Sequence, residues 1–491
     1  MIENVYKLLV PKSRAIRKLC LYFSVPLIDN KFICKYSWEP DLDNHIKEQN
    51  VIRKMSFAKL LMSFVKLLTS PFYGISYLLW QLITCIDITR SSTTSANVFF
   101  ISPSIHIKEF SNSDENFLGF WGNVKNLKET NNLNPMYLLV PYKQIKINSN
   151  TNDQRRYLSD LRSFRSKYFF LKYFVTLCIS NFYFISKLMK LLYLSQNKAT
   201  LEHTYILNNY NYLLGKNLSS VIFLKLLFID FLDNIPQNSR MIYTCEGQSW
   251  EFSLLLSNKK VFKFYGNLHV PYRDMDTLIK SYSLLRLIKK PEEIEFLVTG
   301  QASKVKFSEV IGDSYRVSVV EGQRFIYTQR YENFKPNDDA NTIALYLDAN
   351  YNANKTLIPL VKQVAIELNY KRLFIHDHPT LVNQKLYSNY EPLVVANSKD
   401  FSCVATINLF SPSTSAMIKP RFFGEIVAIY QPIKGESALC GLSKNFFFYD
   451  KKSLLEIMEL KPVLKQIDLM DIVNLDAGLP SWKRFLGNLK V

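Results

Sequence analysis

Glycine is scarce in this chain, with 14 among 491 residues. Such scarcity argues against a function that depends on a glycine-rich phosphate loop. The seven cysteines form no CxxC pair, and no zinc-finger spacing is present. The N-terminus also lacks the uninterrupted apolar stretch of a signal peptide. These absences predict a cytoplasmic protein whose thiols stay reduced.

Acidic residues are outnumbered, with 42 Asp and Glu against 61 Lys and Arg, for a formal net charge of +19. A basic balance fits nucleic acid, an anionic membrane surface or an anionic small substrate. The sequence has no recognition-helix pattern and no RNA-binding aromatic signature. We therefore favour a membrane surface or an anionic substrate and expect no nucleic-acid partner.

Apolar runs are interrupted by charge. Residues 55–86 are strongly apolar but contain Lys59, Lys66 and Pro71, and residues 168–194 have the same character. A membrane-spanning helix needs about 20 apolar residues with few charges. These segments fit either interface helices whose lysines face solvent or amphipathic helices on an anionic leaflet, and a true span is a third alternative. The second alternative predicts peripheral contact with the inner membrane.

Apolar strand runs alternate with helical runs in both halves of the chain, which predicts an α/β fold. The pattern indicates two doubly wound, Rossmann-like domains facing a cleft, the GT-B architecture, with extra helices at the N-terminus and in an insert. Four segments follow: a helical, membrane-proximal segment (1–95), an acceptor domain (96–333, insert near 153–235), a donor domain (334–450) and closing helices (451–491).

Two histidines follow the strand run RLFI. In open α/β sheets, ligands bind at the carboxyl ends of strands. His378, and with it His376 and Pro379, is therefore a candidate for stabilising a departing phosphate. The alternative is a loop histidine with a capping role.

Two further loops of the second half carry polar groups. The hydroxyl-rich loop after TINLF precedes an expected helix, and hydroxyls with free N–H groups at a helix start bind phosphate. The loop after TIALYL has Asp348, Asn350, Lys355 and Thr356 in reach of a donor, or as ordinary capping residues. The predicted phosphate-binding residues of the hydroxyl-rich loop are Ser413, Thr414 and Ser415.

The first half contributes the loop CEGQSWE. Glu246 stands at a strand end, where a carboxylate suits a general base that deprotonates an acceptor hydroxyl. Gln248 lies beside it as an acceptor contact. Glu251 begins the next helix, and we expect it to act there as favourable charge at the helix N-terminus.

The following strand ends in the segment GNLHVPYRD. It offers His269 and Asp274 as acceptor or sugar contacts and Arg273 for a carboxylate or phosphate.

The order of CEGQSWE, GNLHVPYRD, His378-Pro379 and the Ser413–Ser415 loop resembles bacterial surface-carbohydrate (capsule or O-antigen) biosynthesis glycosyltransferases. It is more distantly similar to GT-B sialyltransferases and Kdo transferases. The acidic motif departs from the sialyltransferase pattern, because only Glu246-Gly247 stands where that family has a carboxylate pair before glycine.

The resemblance implies a metal-independent transferase with no cofactor other than a nucleotide-sugar co-substrate. The donor would be a CMP-activated keto-acid sugar, transferred to a hydroxyl of a bacterial surface glycan or lipid-linked glycan. Glu246 would be base or nucleophile, His378 would stabilise the leaving phosphate, and Arg273 would pair with a sugar carboxylate. A UDP- or GDP-sugar transferase and a non-catalytic glycan-assembly scaffold remain alternatives.

Overall fold

The protein is described by a computed structural model. Most of the predicted N-terminal segment 1–95 and residues 330–340, where the two predicted domains meet, lie outside the described residues. The structure describes positions 65, 69, 72 and 76 and ranges 96–103, 120–140, 159–160, 168–197, 215–247, 249–257, 262–272, 282, 293–329, 341–348, 351–377, 394–397, 405–412, 416–418, 422–431 and 439–489.

The first half forms a seven-stranded parallel sheet in the order β3-β2-β1-β4-β5-β6-β7. Its central strands are buried, as continuous apolar runs in parallel sheets require. The strands are β1 (Val98–Pro103), β2 (Pro135–Val140), β3 (Ser159–Asp160), β4 (Arg240–Thr244), β5 (Lys263–Leu268), β6 (Ile294–Val298) and β7 (Arg316–Val319).

Helices of the first half cover this sheet. The long helix α3 packs on α4, and α4 packs on α5. The helices are α1 (Gly122–Lys125), α2 (Lys128–Asn131), α3 (Phe169–Asn197), α4 (Gly215–Asp233), α5 (Ser249–Leu255), α6 (Gln301–Ile311) and α7 (Gln323–Gln329).

The second half forms a six-stranded parallel sheet in the order β10-β9-β8-β11-β12-β13. Its strands are β8 (Thr342–Tyr346), β9 (Arg372–His376), β10 (Val394–Asn397), β11 (Ile407–Phe410), β12 (Val427–Tyr430) and β13 (Phe447–Phe448). Its helices are α8 (Tyr351–Glu367), α9 (Lys451–Leu460), α10 (Gln466–Leu469) and α11 (Pro480–Gly487).

Both sheets reverse their strand order at an internal switch point, between β1 and β4 in the first and between β8 and β11 in the second. This is the doubly wound, Rossmann-like order, in which ligands bind at the carboxyl ends beside the switch. The predicted α/β fold with two doubly wound, Rossmann-like sheets is confirmed.

One local prediction was wrong. Among the described residues that follow β11, Ala416–Ile418 form a 3-10 turn where an α-helix was expected.

The C-terminal segment joins the two halves. Leu454 and Ile457 of α9 pack in the second core, whereas Trp482 and Leu486 of α11 pack against β1 residues of the first core. Buried Glu321, after β7, accepts the backbone N–H groups of Ser481 and Trp482 at 2.9 and 3.0 Å. A carboxylate at a helix N-terminus is favourable, so Glu321 fixes the start of α11.

The backbone at Gly300 approaches the backbone of the C-terminal segment at Asp471–Asn474 closely, and we call this contact the seam. A Cβ on Gly300 would lie 2.2 Å from the carbonyl oxygen of Ile472. The flanking hydrogen bonds run from Ala302 N to Asp471 O (2.8 Å) and from Asn474 N to Thr299 O (2.6 Å). Only glycine permits this contact without a backbone shift.

Candidate active site

The loop between β4 and α5 is a tight strand-to-helix turn. Cys245, Glu246 and Gly247 follow the last residue of β4, and α5 begins at Ser249. Gly247 has φ 74°, in the left-handed region that favours glycine. The turn places Glu246 at the carboxyl edge of the first sheet, with 23% of its side chain exposed.

Glu251 holds this loop from behind. One of its carboxylate oxygens accepts the N–H of Glu246 at 2.9 Å, and the other accepts the N–H of Gly247 at 3.0 Å. The Tyr282 hydroxyl donates to the same carboxylate, and Glu251 is fully buried. Glu251 therefore lies in the first turn of α5, as expected, and also fixes the backbone that carries Glu246.

Glu246 meets His269. Its Oε1 lies 3.0 Å from Nε2 of His269, the residue that follows β5. His269 is buried, and the ring of Phe120 stands edge-on to it at 4.8 Å between centroids. A partly exposed carboxylate in contact with a buried imidazole is an arrangement that can accept a proton from a bound hydroxyl.

Neighbouring groups stay uncharged at neutral pH. Burial, reinforced by the Glu251 carboxylate, raises the pKa of the Cys245 thiol well above its usual range. Burial likewise raises the pKa of the Tyr243 and Tyr282 hydroxyls, with Cys245 and Glu251 adding to the effect. A thiol held protonated is a poor nucleophile, which leaves Glu246 and His269 as the candidate acid–base groups of this loop.

The carboxyl edge of the second sheet carries a stack of rings. His376, at the end of β9, lies parallel to Tyr346 of β8 with centroids 4.4 Å apart and an interplanar angle of 5°. Tyr346 in turn stacks on Phe410 of β11 at 4.8 Å. The stack therefore crosses the switch point between β8 and β11, where a doubly wound sheet binds ligands.

The remaining predicted residues of this edge are placed unequally. Asp348 is buried directly after the β8 run, and its carbonyl oxygen accepts Asn354 Nδ2 at 2.9 Å. Lys355 and Thr356 are exposed on the first turns of α8. Nine predicted site residues lie outside the described ones: Gln248, Arg273, Asp274, Asn350, His378, Pro379, Ser413, Thr414 and Ser415.

The carboxyl edges of the two sheets belong to one region of the molecule. Val270, directly after His269, packs against the apolar cluster that contains Tyr346 and Phe410. Two residues further on, the carbonyl oxygen of Tyr272 accepts the N–H of Cys440 at 3.4 Å. The segment that follows the Glu246–His269 pair therefore continues into contact with the second half.

Sequence reasoning missed the aromatic neighbours of both histidines. Phe120 lies against His269, and the Arg324 guanidinium lies 5.9 Å from the centroid of the Phe120 ring. From the sequence alone, Tyr346 is recognisable only as part of a strand. Its position could have indicated the contact with His376, because Tyr346 and His376 end neighbouring strands at the same edge of the sheet.

Within the ranges that the structure describes, no group of three or more His, Cys, Asp or Glu side chains could hold a metal ion.

No protein-family model matches the chain, and no curated protein sequence matches it. Among solved structures, it is similar to UDP-GlcNAc 2-epimerase from Neisseria meningitidis bound to UDP-GlcNAc, with 9% identity, a TM-score of 0.38 and coverage of 80% of this chain and 98% of that one. It is also similar to an α,α-trehalose-phosphate synthase (UDP-forming) from Burkholderia vietnamiensis, with 10% identity, a TM-score of 0.39 and coverage of 80% of this chain and 99% of that one. A putative UDP-N-acetylglucosamine 2-epimerase from Listeria monocytogenes has 8% identity and a TM-score of 0.40, with coverage of 80% of this chain and 94% of that one. At these values the likeness concerns the α/β fold alone.

Proposed function

We propose that this protein is a glycosyltransferase that moves a sugar from a nucleotide-sugar donor to an acceptor hydroxyl. The observation that carries the proposal is the 3.0 Å contact between Glu246 and His269 at the carboxyl ends of adjacent strands. This pair lies beside a second Rossmann-like sheet whose switch point bears His376. Two sheets with adjoining carboxyl edges suit a reaction that brings two substrates together.

Glu246 acts as the general base in this proposal. It takes the proton of the acceptor hydroxyl while that oxygen forms a bond to the anomeric carbon of the donor sugar. The bond between the anomeric carbon and the phosphate oxygen breaks, and the nucleotide leaves with the electron pair. His269 is the positioning residue, because it is buried and contacts the carboxylate that accepts the proton.

The second sheet holds the donor in this proposal. His376 and the predicted residues His378, Ser413, Thr414 and Ser415 would contact the nucleotide phosphate, and Arg273 would contact a carboxylate on the sugar. The resemblance in sequence favours a CMP-activated keto-acid sugar and a bacterial surface glycan as acceptor. A UDP-sugar is at least as good a candidate for the donor, and a GDP-sugar is a third.

Nucleotide release tests this function. The purified full chain is incubated with CMP-, UDP- and GDP-sugars in separate reactions, with glycan acceptors added, and free nucleotide is quantified by chromatography. We expect turnover with one nucleotide class, and Glu246→Gln should lower kcat by about 10²–10⁴-fold, the usual contribution of a general base. The matched control is Glu456→Gln on the exposed side of α9, which should leave turnover unchanged.

Two results would contradict the proposal. Turnover of Glu246→Gln equal to that of the unaltered chain would remove the general base. Absence of release from all three nucleotide classes, with surface glycan lost on gene deletion but kept by Glu246→Gln, would instead indicate a glycan-assembly scaffold.

A further inference from the structure

Helix α3 has one face buried against the protein. Its buried residues recur at helical spacing and pack with α4 in the first core. The Tyr173 hydroxyl hydrogen-bonds with Ser219 of α4, and Lys172 Nζ lies 3.8 Å from Asp230 Oδ1. The apolar members of this inner face are Phe169, Tyr173, Leu177, Phe184 and Leu188. Packing against α4 therefore accounts for the apolar side chains on this inner face of α3.

The opposite face of α3 is equally apolar and exposed. Phe182 is 77% exposed and Leu171 is 63% exposed, although both are large apolar side chains. A contiguous apolar patch on a soluble protein marks an interaction site. We call this set the outer face: Leu171, Phe174, Val175, Cys178, Ile179, Phe182, Met189 and Tyr193.

The stretch of sequence that contains α3 carries charge of one sign. Between Leu161 and Leu201 the sequence has no Asp or Glu and seven Lys or Arg residues. A second copy of this chain would bring these like charges together across a symmetric contact, which is unfavourable. An anionic phospholipid surface complements both properties, because its acyl chains accept the apolar side chains and its headgroups attract the lysines and arginines.

The fixed inner face indicates how α3 would meet such a surface. Among the described residues, α3 is the one helix long and apolar enough to cross a membrane, over Phe169–Lys190, and 33% of its most apolar 18-residue window is buried in the protein. A spanning helix would have to leave α4 and bring Lys172 away from Asp230. A helix lying in the interface keeps these contacts and inserts only its outer face.

We propose that the outer face of α3 binds the interfacial layer of an anionic membrane, with the helix lying parallel to the surface. This property goes beyond the proposed transferase activity and stands independently of it.

Vesicle flotation of the full chain tests the proposal. We expect the protein to float with vesicles of phosphatidylcholine mixed with phosphatidylglycerol and to stay in solution with phosphatidylcholine alone. Replacing both Phe174 and Phe182 by Ser should weaken binding at least about tenfold, since each Phe loses an apolar surface that the lipid would cover. The matched control replaces Ile467 and Met470, 70% and 66% exposed near α10, by Ser and should bind as the unaltered chain does. Lys190→Glu should weaken binding by about fivefold or more, because one cation near an anionic surface is replaced by an anion.

Cys178 gives a second readout within the outer face, since it is exposed, whereas Cys245 and Cys440 are buried. Maleimide labelling at Cys178, measured by peptide mass spectrometry, should be fast without lipid and should slow with the anionic vesicles only. Equal flotation of the Phe174 and Phe182 double variant would overturn the proposal. Slow labelling of Cys178 without lipid would also overturn it, because another part of the chain or a second copy would then cover this face.

Discussion

The carboxyl edges of the two sheets are held by different kinds of contact. At the first edge, buried charge dominates: Glu251 is fully buried and holds the backbone that carries Glu246, and Glu246 contacts buried His269. At the second edge, stacked rings dominate, with His376, Tyr346 and Phe410 in one column. Hydrogen bonds to a charged group fix an atom's position, whereas buried stacked rings contribute apolar packing.

This difference suits a division of labour. Proton transfer needs a carboxylate held at hydrogen-bonding distance from its partner, which the first edge supplies. Binding of an anionic group is favoured by an imidazole, and the second edge supplies that of His376 at the end of β9. Because the first half buries ionisable side chains, among them Glu251 and Lys225, substitutions there should alter stability and its pH dependence more than substitutions at the second edge.

The largest expected effect concerns Lys225 of α4, which packs behind α5. Burial lowers the pKa of Lys225 from its ordinary 10.5 to about 7. Between these pH values the unfolded chain carries a proton that the folded chain lacks, so stability should rise with pH through this window. Lys225→Met should abolish the rise and stabilise the protein at pH 7 by on the order of 4 kcal/mol.

Chemical denaturation at several pH values measures this effect. Lys452→Met on the exposed side of α9 is the control, and the rise in stability with pH should persist in it. If the free energy of unfolding of the unaltered chain does not change between pH 7 and pH 10, the prediction is wrong. Buried Lys225 would then not make the stability of the first half depend on pH.

The second effect concerns the seam that joins the two regions. In Gly300→Ala the new Cβ would meet the Ile472 carbonyl oxygen, so the seam must open, at a cost of about 3 kcal/mol. Gly487→Ala in α11 has open space around the new Cβ and should be neutral or slightly stabilising. Thermal unfolding would compare the two variants. Equal melting temperatures would mean that the seam does not couple the halves.

The third effect separates positioning from stability at the first edge. Glu251→Gln leaves an amide nitrogen facing the N–H donors of the loop or the Tyr282 hydroxyl and should cost about 2 kcal/mol. It should also lower kcat more than it raises KM, because Glu246 loses its fixed position. Glu309→Gln, exposed on α6, is the control and should change neither quantity. An unchanged kcat in folded Glu251→Gln protein would reduce Glu251 to a purely structural residue.

The smallest effect belongs to the ring stack. His376→Gln keeps a polar group but loses the stacked ring, which should cost about 1 kcal/mol of stability. Denaturation curves of this variant and of Glu251→Gln, measured side by side, show which substitution lowers the free energy of unfolding more. A larger loss for His376→Gln would reverse the comparison.

Much of the fold was predictable because its strands are apolar runs bounded by polar loops. MIYTC, TIALYL and TINLF correspond to β4, β8 and β11. The strand β3 was not predictable, since Ser159–Asp160 is a polar pair that, among the described strands, pairs with β2. The return of α11 to the first core was equally invisible, because the partner of an amphipathic helix is set by tertiary packing.

The candidate site was predictable in its location and incompletely in its contacts. Parallel strands bring successive loops to one edge, so the loops of Glu246 and His269 were expected near each other. The role of Glu251 in accepting loop N–H groups depends on the left-handed turn at Gly247, which a helix-start pattern does not reveal. The stack on His376 needs Phe410, more than thirty positions away in sequence and two strands away in the sheet.

Nucleotide titration by calorimetry tests the division of labour most directly. CMP, UDP and GDP are titrated separately into the unaltered chain, His376→Ala and Glu246→Gln. We predict that one nucleotide binds, that His376→Ala weakens it about tenfold, equivalent to about 1.4 kcal/mol, and that Glu246→Gln leaves it within about twofold. Binding that is lost in Glu246→Gln and kept in His376→Ala would contradict the assignment of the donor to the second edge.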